Sequence, residues 1–322
     1  MEVRLSEGIA TERRLRLLAE DPEATFFHTP TWSGFLEETF DDHRTRVLVA
    51  VEDGEDVAFL PYIERARLGL RLLESMPFGT YGGPVVGRDA PRGTAAALVE
   101  AFASLARSPG VAMAQMVDVS GRTAGEAPGL VRETGTMQVV DLTEGYEAAL
   151  ARFRPSARNK LRKASKAGVT VRRASGRDDF LAYHGLLAES ARRWGAEAPH
   201  DDAFFERLAD VDDEGVQMWL AEHEGRVIGG DLNFAYGRMI MNWGNASSDA
   251  GRKHASNNML HAHAMRVGAE AGFEVFNMGA SRDLPGVRAF KASLGASDVE
   301  YMVLRATSPL YRAAQWAARV RR

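Results

Sequence analysis

The same order of predicted elements occurs twice along the chain, and this repetition most constrains the fold. Residues 46–64 and 216–237 each have the pattern of two strands joined by a tight turn, at Asp53-Gly54 and at Glu224-Gly225. Each predicted hairpin is followed by further extended chain, an alanine-rich helix that ends near a glycine, and a short apolar strand. The sequence therefore predicts an internal duplication of one α/β unit.

The spacing of equivalent glycines supports the duplication. Gly54 and Gly225, in the two turns, lie 171 residues apart, and Gly110 and Gly272, after the two helices, lie 162 residues apart. A chain of 322 residues is long enough for two domains of ordinary size. We predict an N-terminal domain over residues 1–145 and a C-terminal domain over residues 146–322.

Composition excludes several classes of protein and site. The sequence contains no cysteine, so disulfides, thiolate metal sites and cysteine nucleophiles are excluded. The N-terminal residues are amphipathic and acidic in part, which is not typical of a secretory signal. No apolar run approaches the roughly 18 residues of a membrane-spanning helix. We expect a cytoplasmic protein without stable membrane insertion, as a monomer or a homodimer.

A basic run opens the second predicted domain. Residues 148–177 hold ten Arg or Lys and no acid, although the whole chain has a formal net charge of −4. Pro155 favours the start of a helix and Gly168 its end, and apolar residues at helical spacing form one narrow stripe. The opposite side carries cations, among them Arg158, Arg162 and Lys163. These three are candidates for a phosphate-binding site, and a solvated helix face is the alternative.

Five segments resemble the Fem peptidyltransferases, the non-ribosomal aminoacyltransferases that build cell-wall bridges. They are SARNKLRKASKAGVTVR in the basic run, the strand MIMNWGNA, the later segment RAFKASLGA, and FFHTPTWSGFL and PFGTYGGPVV in the first half. The resemblance covers nearly the whole chain. It implies two tandem domains of the GCN5-related acyltransferase (GNAT) type, each with a mixed, mostly antiparallel sheet flanked by helices.

The resemblance also implies an activity. Fem proteins transfer an amino acid from aminoacyl-tRNA to an amine and use neither a metal nor an organic cofactor. The expected partners are the acceptor end of aminoacyl-tRNA and an amine-bearing acceptor, either a small molecule or a cell-wall, peptide or glycan precursor. Cell-wall members have a coiled-coil arm or a lysine in the early helix that holds a nucleotide-sugar phosphate. This sequence shows no heptad insertion, and residues 32–40 contain no Lys or Arg. A muropeptide acceptor linked to a nucleotide is therefore not expected.

Lys291 and Phe290 are the first candidate site residues. Lys291 lies in an otherwise apolar segment, and a buried ammonium needs a partner because its burial is costly. The resemblance implies that Lys291 stabilises charge beside the aminoacyl end, with Phe290 as a wall of the donor site. A surface lysine and a core phenylalanine are the alternatives.

Two further segments contain candidates for binding and proton transfer. Tyr81, Gly82 and Gly83 form a loop whose backbone N–H groups could approach an acceptor, with a plain turn as the alternative. Asn242 and Trp243 lie near the end of a strand that, in this fold, separates from its neighbour to admit the donor, with a core position as the alternative for Trp243. Asp231, in the middle of a strand, is the candidate general base, with proton loss assisted by the substrate as the alternative.

Other functions are less well supported by the sequence. The sequence does not contain the pattern of the Gly-rich loop that binds acetyl-CoA in this fold. An acyl-CoA donor nevertheless stays open as an alternative. Nucleotide-binding motifs and a set of metal ligands are not apparent, so we expect no metal site. The third possibility is a tRNA-binding module without catalysis, which depends on the basic run alone.

Overall fold

The computed structural model describes residues 1–67, 69–123, 127–193, 195–281, 284–309 and 311–313. Contacts divide the chain into two compact units. Unit 1 comprises Met1–Gly135 together with the chain from Glu300 onward, and unit 2 is Thr136–Val299. This division differs from the predicted boundary after residue 145 and from the prediction of two contiguous segments. The difference arises because residues near the C-terminus pair with a strand of unit 1.

Unit 1 is a mixed sheet with helices packed against it. The strands lie in the order β1-β2-β3-β4-β6-β13, with β5 paired to β3. They are β1 Glu2–Ser6, β2 His43–Glu52, β3 Glu55–Arg67, β4 Leu70–Ser75, β5 Val85–Val86, β6 Val111–Asp118 and β13 Ser297–Thr307, whose first three residues belong to unit 2. The helices are α1 Thr11–Glu20, α2 Pro30–Thr39 and α3 Thr94–Ala106. Strands β4 and β6 are parallel and α3 connects them, while β13 pairs with β6 in antiparallel fashion through Met302–Thr307.

Unit 2 repeats this plan. Its strands lie in the order β7-β12-β11-β10-β9-β8. They are β7 Val131–Asp141, which begins in unit 1, β8 Thr170–Arg173, β9 Val216–His223, β10 Arg226–Tyr236, β11 Met239–Ser247 and β12 Val275–Ala280. The helices are α4 Gly145–Ala151, α5 Pro155–Lys166, α6 Arg177–Arg193, α7 Asp202–Ala209, α8 Asp249–Lys253, α9 Ser256–Glu270 and α10 Pro285–Ser293. Strands β11 and β12 are parallel and are connected through α9, as β4 and β6 are through α3.

The two predicted hairpins form at the predicted turns. Asp53 and Gly54 have φ angles of 51° and 82°, and Glu224 and Gly225 have 50° and 71°. Two successive positive φ values are the geometry of a type I′ turn, whose twist matches that of the flanking strands. The predicted α/β fold class, with mixed sheets flanked by helices, is confirmed.

Helix α5 follows the predicted phasing of the basic run. Phe153, just before the helix, and Ala157 and Ala164 within it are buried, while Leu161 is half-buried. These residues join the core of unit 2 together with side chains from α9 and β12. Small residues at two of the positions let α5 lie close to the domain, so its basic side faces away from the core.

Candidate functional site

A cleft of about 820 Å³ opens in unit 2 where two parallel strands separate. Strands β11 and β12 pair only from Met239 to Met241 and from Val275 to Asn277, although β11 continues to Ser247. The residues that line the cleft come from α6, β11, α8, α9 and α10. They include the predicted site residues Asn242, Phe290 and Lys291.

Lys291 is a buried lysine at the wall of the cleft. Its side chain is 6% exposed, and Nζ donates hydrogen bonds to the carbonyl oxygens of Gly279 at 2.7 Å and Ala280 at 3.1 Å. Nζ also approaches Gln138 Oε1 at 3.5 Å. Burial lowers the pKa of Lys291 to about 8, because the charged form loses hydration. The ammonium is therefore held at the end of β12 by two backbone carbonyls.

Asp231 lies behind the cleft and does not line it. The carboxylate is fully buried on β10, where Oδ1 accepts hydrogen bonds from Asn242 at 2.7 Å and Asn245 at 2.9 Å. Its Oδ2 accepts a hydrogen bond from Asn233 at 3.2 Å. Because these amides satisfy both carboxylate oxygens away from solvent, Asp231 is placed to orient Asn242 and Asn245. The prediction that it contacts the substrate as a general base does not agree with this geometry.

His261 lines the cleft and was not selected from the sequence. Its Nδ1 lies 3.0 Å from the carbonyl oxygen of Asn257, one helical turn earlier in α9. A carbonyl can only accept, so Nδ1 carries the hydrogen and the lone pair lies on Nε2. Burial lowers the pKa of His261, against the opposing effects of Asp231, 3.9 Å away, and of the Asn257 hydrogen bond. The imidazole is therefore neutral near pH 7 and can act as a base.

The aromatic candidates have different surroundings. Phe290 lies in the cleft, and its ring meets the imidazole of His261 edge-on with 5.5 Å between ring centroids. Trp243 does not line the cleft, in contrast to the prediction. Its ring stacks near Phe204 and His200 of the segment at α7, and it meets Phe234 edge-on. Trp243 therefore packs against the segment that contains α7, whereas Asn242 lines the cleft.

The lining of the cleft is cationic. Besides Lys291, it contains Arg193 of α6 and Arg252 of α8, and no Asp or Glu is among its described residues. Arg193 is oriented by Ser190, by Glu189 and by the carbonyl oxygen of Ser247, each at 2.8 Å. Arg252 pairs with Asp249. Because Arg193 and Arg252 are each paired with an acid, Lys291 is the cation of this lining that has no carboxylate partner among the described residues.

The three residues of the predicted phosphate-binding site do not all line one cavity. Arg158 and Arg162, four residues apart on α5, line a second and separate cavity of unit 2, whereas Lys163 does not. Within the described chain, none of the three forms an ion pair with a carboxylate. By contrast, Arg172 pairs with Asp179 and Glu222. The cations of the helix therefore differ from those of the following strand, which are neutralised by acids.

The Tyr81-Gly82-Gly83 loop belongs to unit 1, and the backbone N–H groups of its two glycines are already engaged. The N–H of Gly82 donates to the carbonyl oxygen of Val117 at 2.8 Å, and that of Gly83 to Ser75 Oγ at 3.1 Å. Tyr81 is buried, with its ring near those of Phe27 and Tyr301. The loop therefore has the features of the packed turn that the sequence left as an alternative, because its N–H groups are not directed to a ligand.

We expect Gly82→Ala to destabilise unit 1 strongly. A Cβ at this position would lie 2.2 Å from the carbonyl oxygen of Ser75, a backbone atom that cannot move aside cheaply. The expected loss is about 2–3 kcal/mol in the free energy of unfolding, measured by urea denaturation. Gly34→Ala in α2 is the matched control, because a Cβ there meets nothing within 4 Å. Equal stability of both variants would contradict the close packing of this loop.

The described residues contain neither a metal-binding cluster nor a membrane-spanning helix. No group of three or more His, Cys, Asp or Glu side chains there is arranged to hold a metal ion. No helix in that part of the chain is long and apolar enough to cross a membrane.

Comparison with known proteins identifies the domain that contains the cleft. The family model for an acetyltransferase (GNAT) domain matches residues 151–292. This segment is a GNAT domain. Strands β8 to β12, the cleft and Lys291 lie within it, so the chain carries an acyltransferase domain and is an enzyme of the acyltransferase class. No curated protein matches the sequence.

Solved structures extend the likeness of the GNAT domain to the whole chain. FemX is similar with a TM-score of 0.74 and 16% identity, over 97% of this chain and 99% of that one. The C-terminal domain of a putative lysylphosphatidylglycerol synthetase from Agrobacterium fabrum has a TM-score of 0.59 and 18% identity, over 96% of each chain. A tandem GNAT protein from the clavulanic acid biosynthesis pathway has a TM-score of 0.55 and 15% identity, over 95% of this chain and 98% of that one. The fold is therefore that of the Fem-type tandem GNAT proteins.

Proposed function

We propose that the cleft of unit 2 transfers an aminoacyl group from aminoacyl-tRNA to an amine of a cell-wall, peptide or glycan precursor. The observation that carries this proposal is the buried ammonium of Lys291 in a cleft lined by cations. Attack of an amine on an ester creates a tetrahedral oxyanion, and a fixed positive charge in a site of low polarity stabilises it. Asn242 and Phe290, which share the cleft, would orient the acyl group.

The segment before α9 favours this donor over acyl-CoA. In acyltransferases that use CoA, free N–H groups of a Gly-rich loop hold the pyrophosphate. Here the segment forms α8, where Ser248 Oγ accepts from the N–H of Gly251 at 3.1 Å and the Ser248 carbonyl accepts from Arg252 at 3.0 Å. A Cβ on Gly251 would lie 2.1 Å from the carbonyl oxygen of Ile228, so the segment is packed tightly on β10. The N–H groups of Gly251 and Arg252 are therefore engaged within the protein.

His261 is the proton acceptor in this proposal. The attacking amine forms the C–N bond and its surplus proton passes to Nε2 of His261. The carbon–oxygen bond to the ribose then breaks, and the same proton neutralises the departing ribose oxygen. The atoms balance, because an amine and an ester give an amide and an alcohol. Asp231 contributes as a positioning residue through Asn242 and Asn245, and its negative charge favours the imidazolium that forms 3.9 Å away.

One assay separates the possible donors. The protein is incubated with charged bulk tRNA and, separately, with acetyl-CoA, and loss of the ester or thioester is followed with candidate amines. We expect amine-dependent loss from charged tRNA only. Loss from the thioester alone would replace the donor by acyl-CoA and leave the acyltransferase class intact. Binding of tRNA without turnover, unchanged in Lys291→Ala, would instead indicate a non-catalytic binding module.

Arg158, Arg162 and Lys163 are proposed to hold phosphates of the tRNA. The triple alanine variant should bind tRNA more weakly and with less dependence on salt. It neutralises fewer phosphates, so fewer counterions are released on binding. The slope of log affinity against log salt should fall by about 2–3. Arg173→Ala is the control, since Arg173 pairs with Glu214 at 2.8 Å. An unchanged slope in the triple variant would return the helix to a solvated surface.

A further inference from the structure

A second cavity of unit 2, larger than the Lys291 cleft, is a groove between α4, α5, β8 and α9. Its volume is about 1020 Å³, within the range of small-molecule sites. The walls are mainly apolar and are formed by side chains that extend from the core of the unit to the surface. These wall residues are Leu150, Leu161, Val169, Val171, Met259 and Ala262. The groove is therefore a place where the core is open to solvent.

Four cations surround the groove, and no Asp or Glu is among its described lining residues. They are Arg158, Arg162 and Lys166 of α5 and Arg266 of α9. Arg158 has a long hydrogen bond of 3.4 Å to the carbonyl oxygen of Ala151, and Arg162 bonds to Asn159. Arg266 lies over the ring of Tyr146, 4.7 Å from its centroid. None of these contacts neutralises a charge.

Several other arginines of unit 2 differ from these four in having acidic partners. Elsewhere in unit 2, arginines are paired: Arg177 with Asp210, Arg193 with Glu189, and Arg252 with Asp249. A simple solvated helix face normally mixes both signs of charge. Four cations that form no ion pair within the described residues, placed around one apolar groove, instead leave both a positive potential and apolar surface available to a ligand.

We propose that this groove binds a single-chain amphiphile with an anionic head, either phosphate or carboxylate. The alkyl chain would lie against Leu161, Val171 and Met259, where its transfer from water supplies most of the affinity. The head would pair with Arg158 and Arg162, whose planar guanidinium groups each match two oxygens of one anion. A concave groove of this volume fits a single monomeric ligand better than a flat membrane surface does.

The groove has a regulatory consequence that rests on the proposed function. Arg158 and Arg162 are also proposed to hold tRNA phosphates, so a bound amphiphile competes for the same two guanidinium groups. Helix α9 additionally places Met259 in the groove and His261 in the cleft. An amphiphile would therefore act as an inhibitor of the transferase that is competitive with the nucleic acid.

Binding is measured by isothermal titration calorimetry on the full chain with dodecyl phosphate below its critical micelle concentration. We expect saturable binding of one molecule per chain, with dodecanoate binding as well if a carboxylate suffices as the head. Inorganic phosphate and dodecyl maltoside should each bind at least 10-fold more weakly, because one lacks the chain and the other the charge. This experiment needs no tRNA and no turnover, so its outcome is independent of the proposed reaction.

Variants distinguish binding in the groove from non-specific binding of the amphiphile to the protein. The double variant Arg158→Ala/Arg162→Ala should weaken the binding of dodecyl phosphate at least 10-fold. Met259→Asp should weaken it equally by placing a carboxylate in the groove. Lys160→Ala, an exposed cation of α5 outside the groove, should not. Thermal unfolding verifies that each variant is folded. Binding only to vesicles of anionic phospholipid, or equal binding by the double variant and Lys160→Ala, would overturn the proposal.

Discussion

Lys291→Met should lower kcat/KM for aminoacyl transfer by about 10²–10³-fold, the cost typical of removing one oxyanion-stabilising group. The methionine retains an apolar stem of similar length and removes the charge at the wall of the cleft, together with the hydrogen bonds of Nζ to Gly279 and Ala280. Lys291→Arg should not restore the rate, because the carbonyl oxygens of Gly279 and Ala280 hold a compact ammonium at 2.7 and 3.1 Å and a planar fork does not fit the same position. Lys253→Met, an exposed lysine of α8, is the control.

The pH dependence of Lys291 gives a second measurement of the same charge. Its pKa is about 8 in the folded protein, lowered from 10.5 by burial. Activity should therefore fall as the pH rises through about 8, since the ammonium loses its proton. Stability should change in the opposite direction. Between about pH 8 and 10.5 the unfolded state holds more protons than the folded state, so the free energy of unfolding rises with pH. Lys291→Met should abolish this rise, and its persistence would contradict the buried ammonium.

His261→Gln should lower the rate by about 10²–10⁴-fold and remove the acidic limb of the pH profile. A glutamine side chain can still donate to the carbonyl oxygen of Asn257 but has no nitrogen lone pair to accept a proton. Burial lowers the pKa of His261. The wild-type rate should therefore fall only at pH values below the usual pKa range of histidine, where the imidazole becomes protonated. Together with Lys291, this gives a plateau that ends near pH 8.

Rescue and control variants separate a base from a supporting residue. His261→Ala should regain part of its rate on addition of free imidazole, which a merely structural role would not allow. His254→Gln is the control, because His254 stacks on His223 outside the cleft. If His261→Gln keeps both its rate and its acidic limb, the proton leaves through the substrate or water, and only the assignment of the base fails. The acyl donor can be tested separately.

Local patterns were sufficient to predict most of the fold. The glycine turns at Gly54 and Gly225 and the narrow apolar stripe of α5 depend on neighbours within a few residues, which the sequence records directly. The burial of Lys291 was also predictable, because its segment is otherwise apolar. The boundary of unit 1 was not, because the pairing of β13 with β6 joins residues nearly two hundred positions apart, and nothing local in β13 specifies its partner.

The residues of the site were harder to predict because a bulge changes the alternation of β11. Asn242 and Asn245 are three residues apart, so a regular strand would direct them to opposite faces, yet both donate to Asp231. The register with β10 shifts between Leu232 and Asn233, which leaves Trp243 as the extra residue. The glycine at position 244 was the available signal for this bulge. His261 was missed because its neighbours Asp231 and Phe290 lie far away in sequence.

The late position of β13 has a consequence for the order in which the protein is made. Unit 2 is continuous in sequence and can fold as soon as it leaves the ribosome, since domains generally fold as units. The N-terminal half emerges first but lacks the strand that covers β6 until Thr307 has been synthesised. During translation the edge of β6 is therefore open to pairing with other chains, as unprotected sheet edges are. The first half of the gene encodes the unit that is completed last.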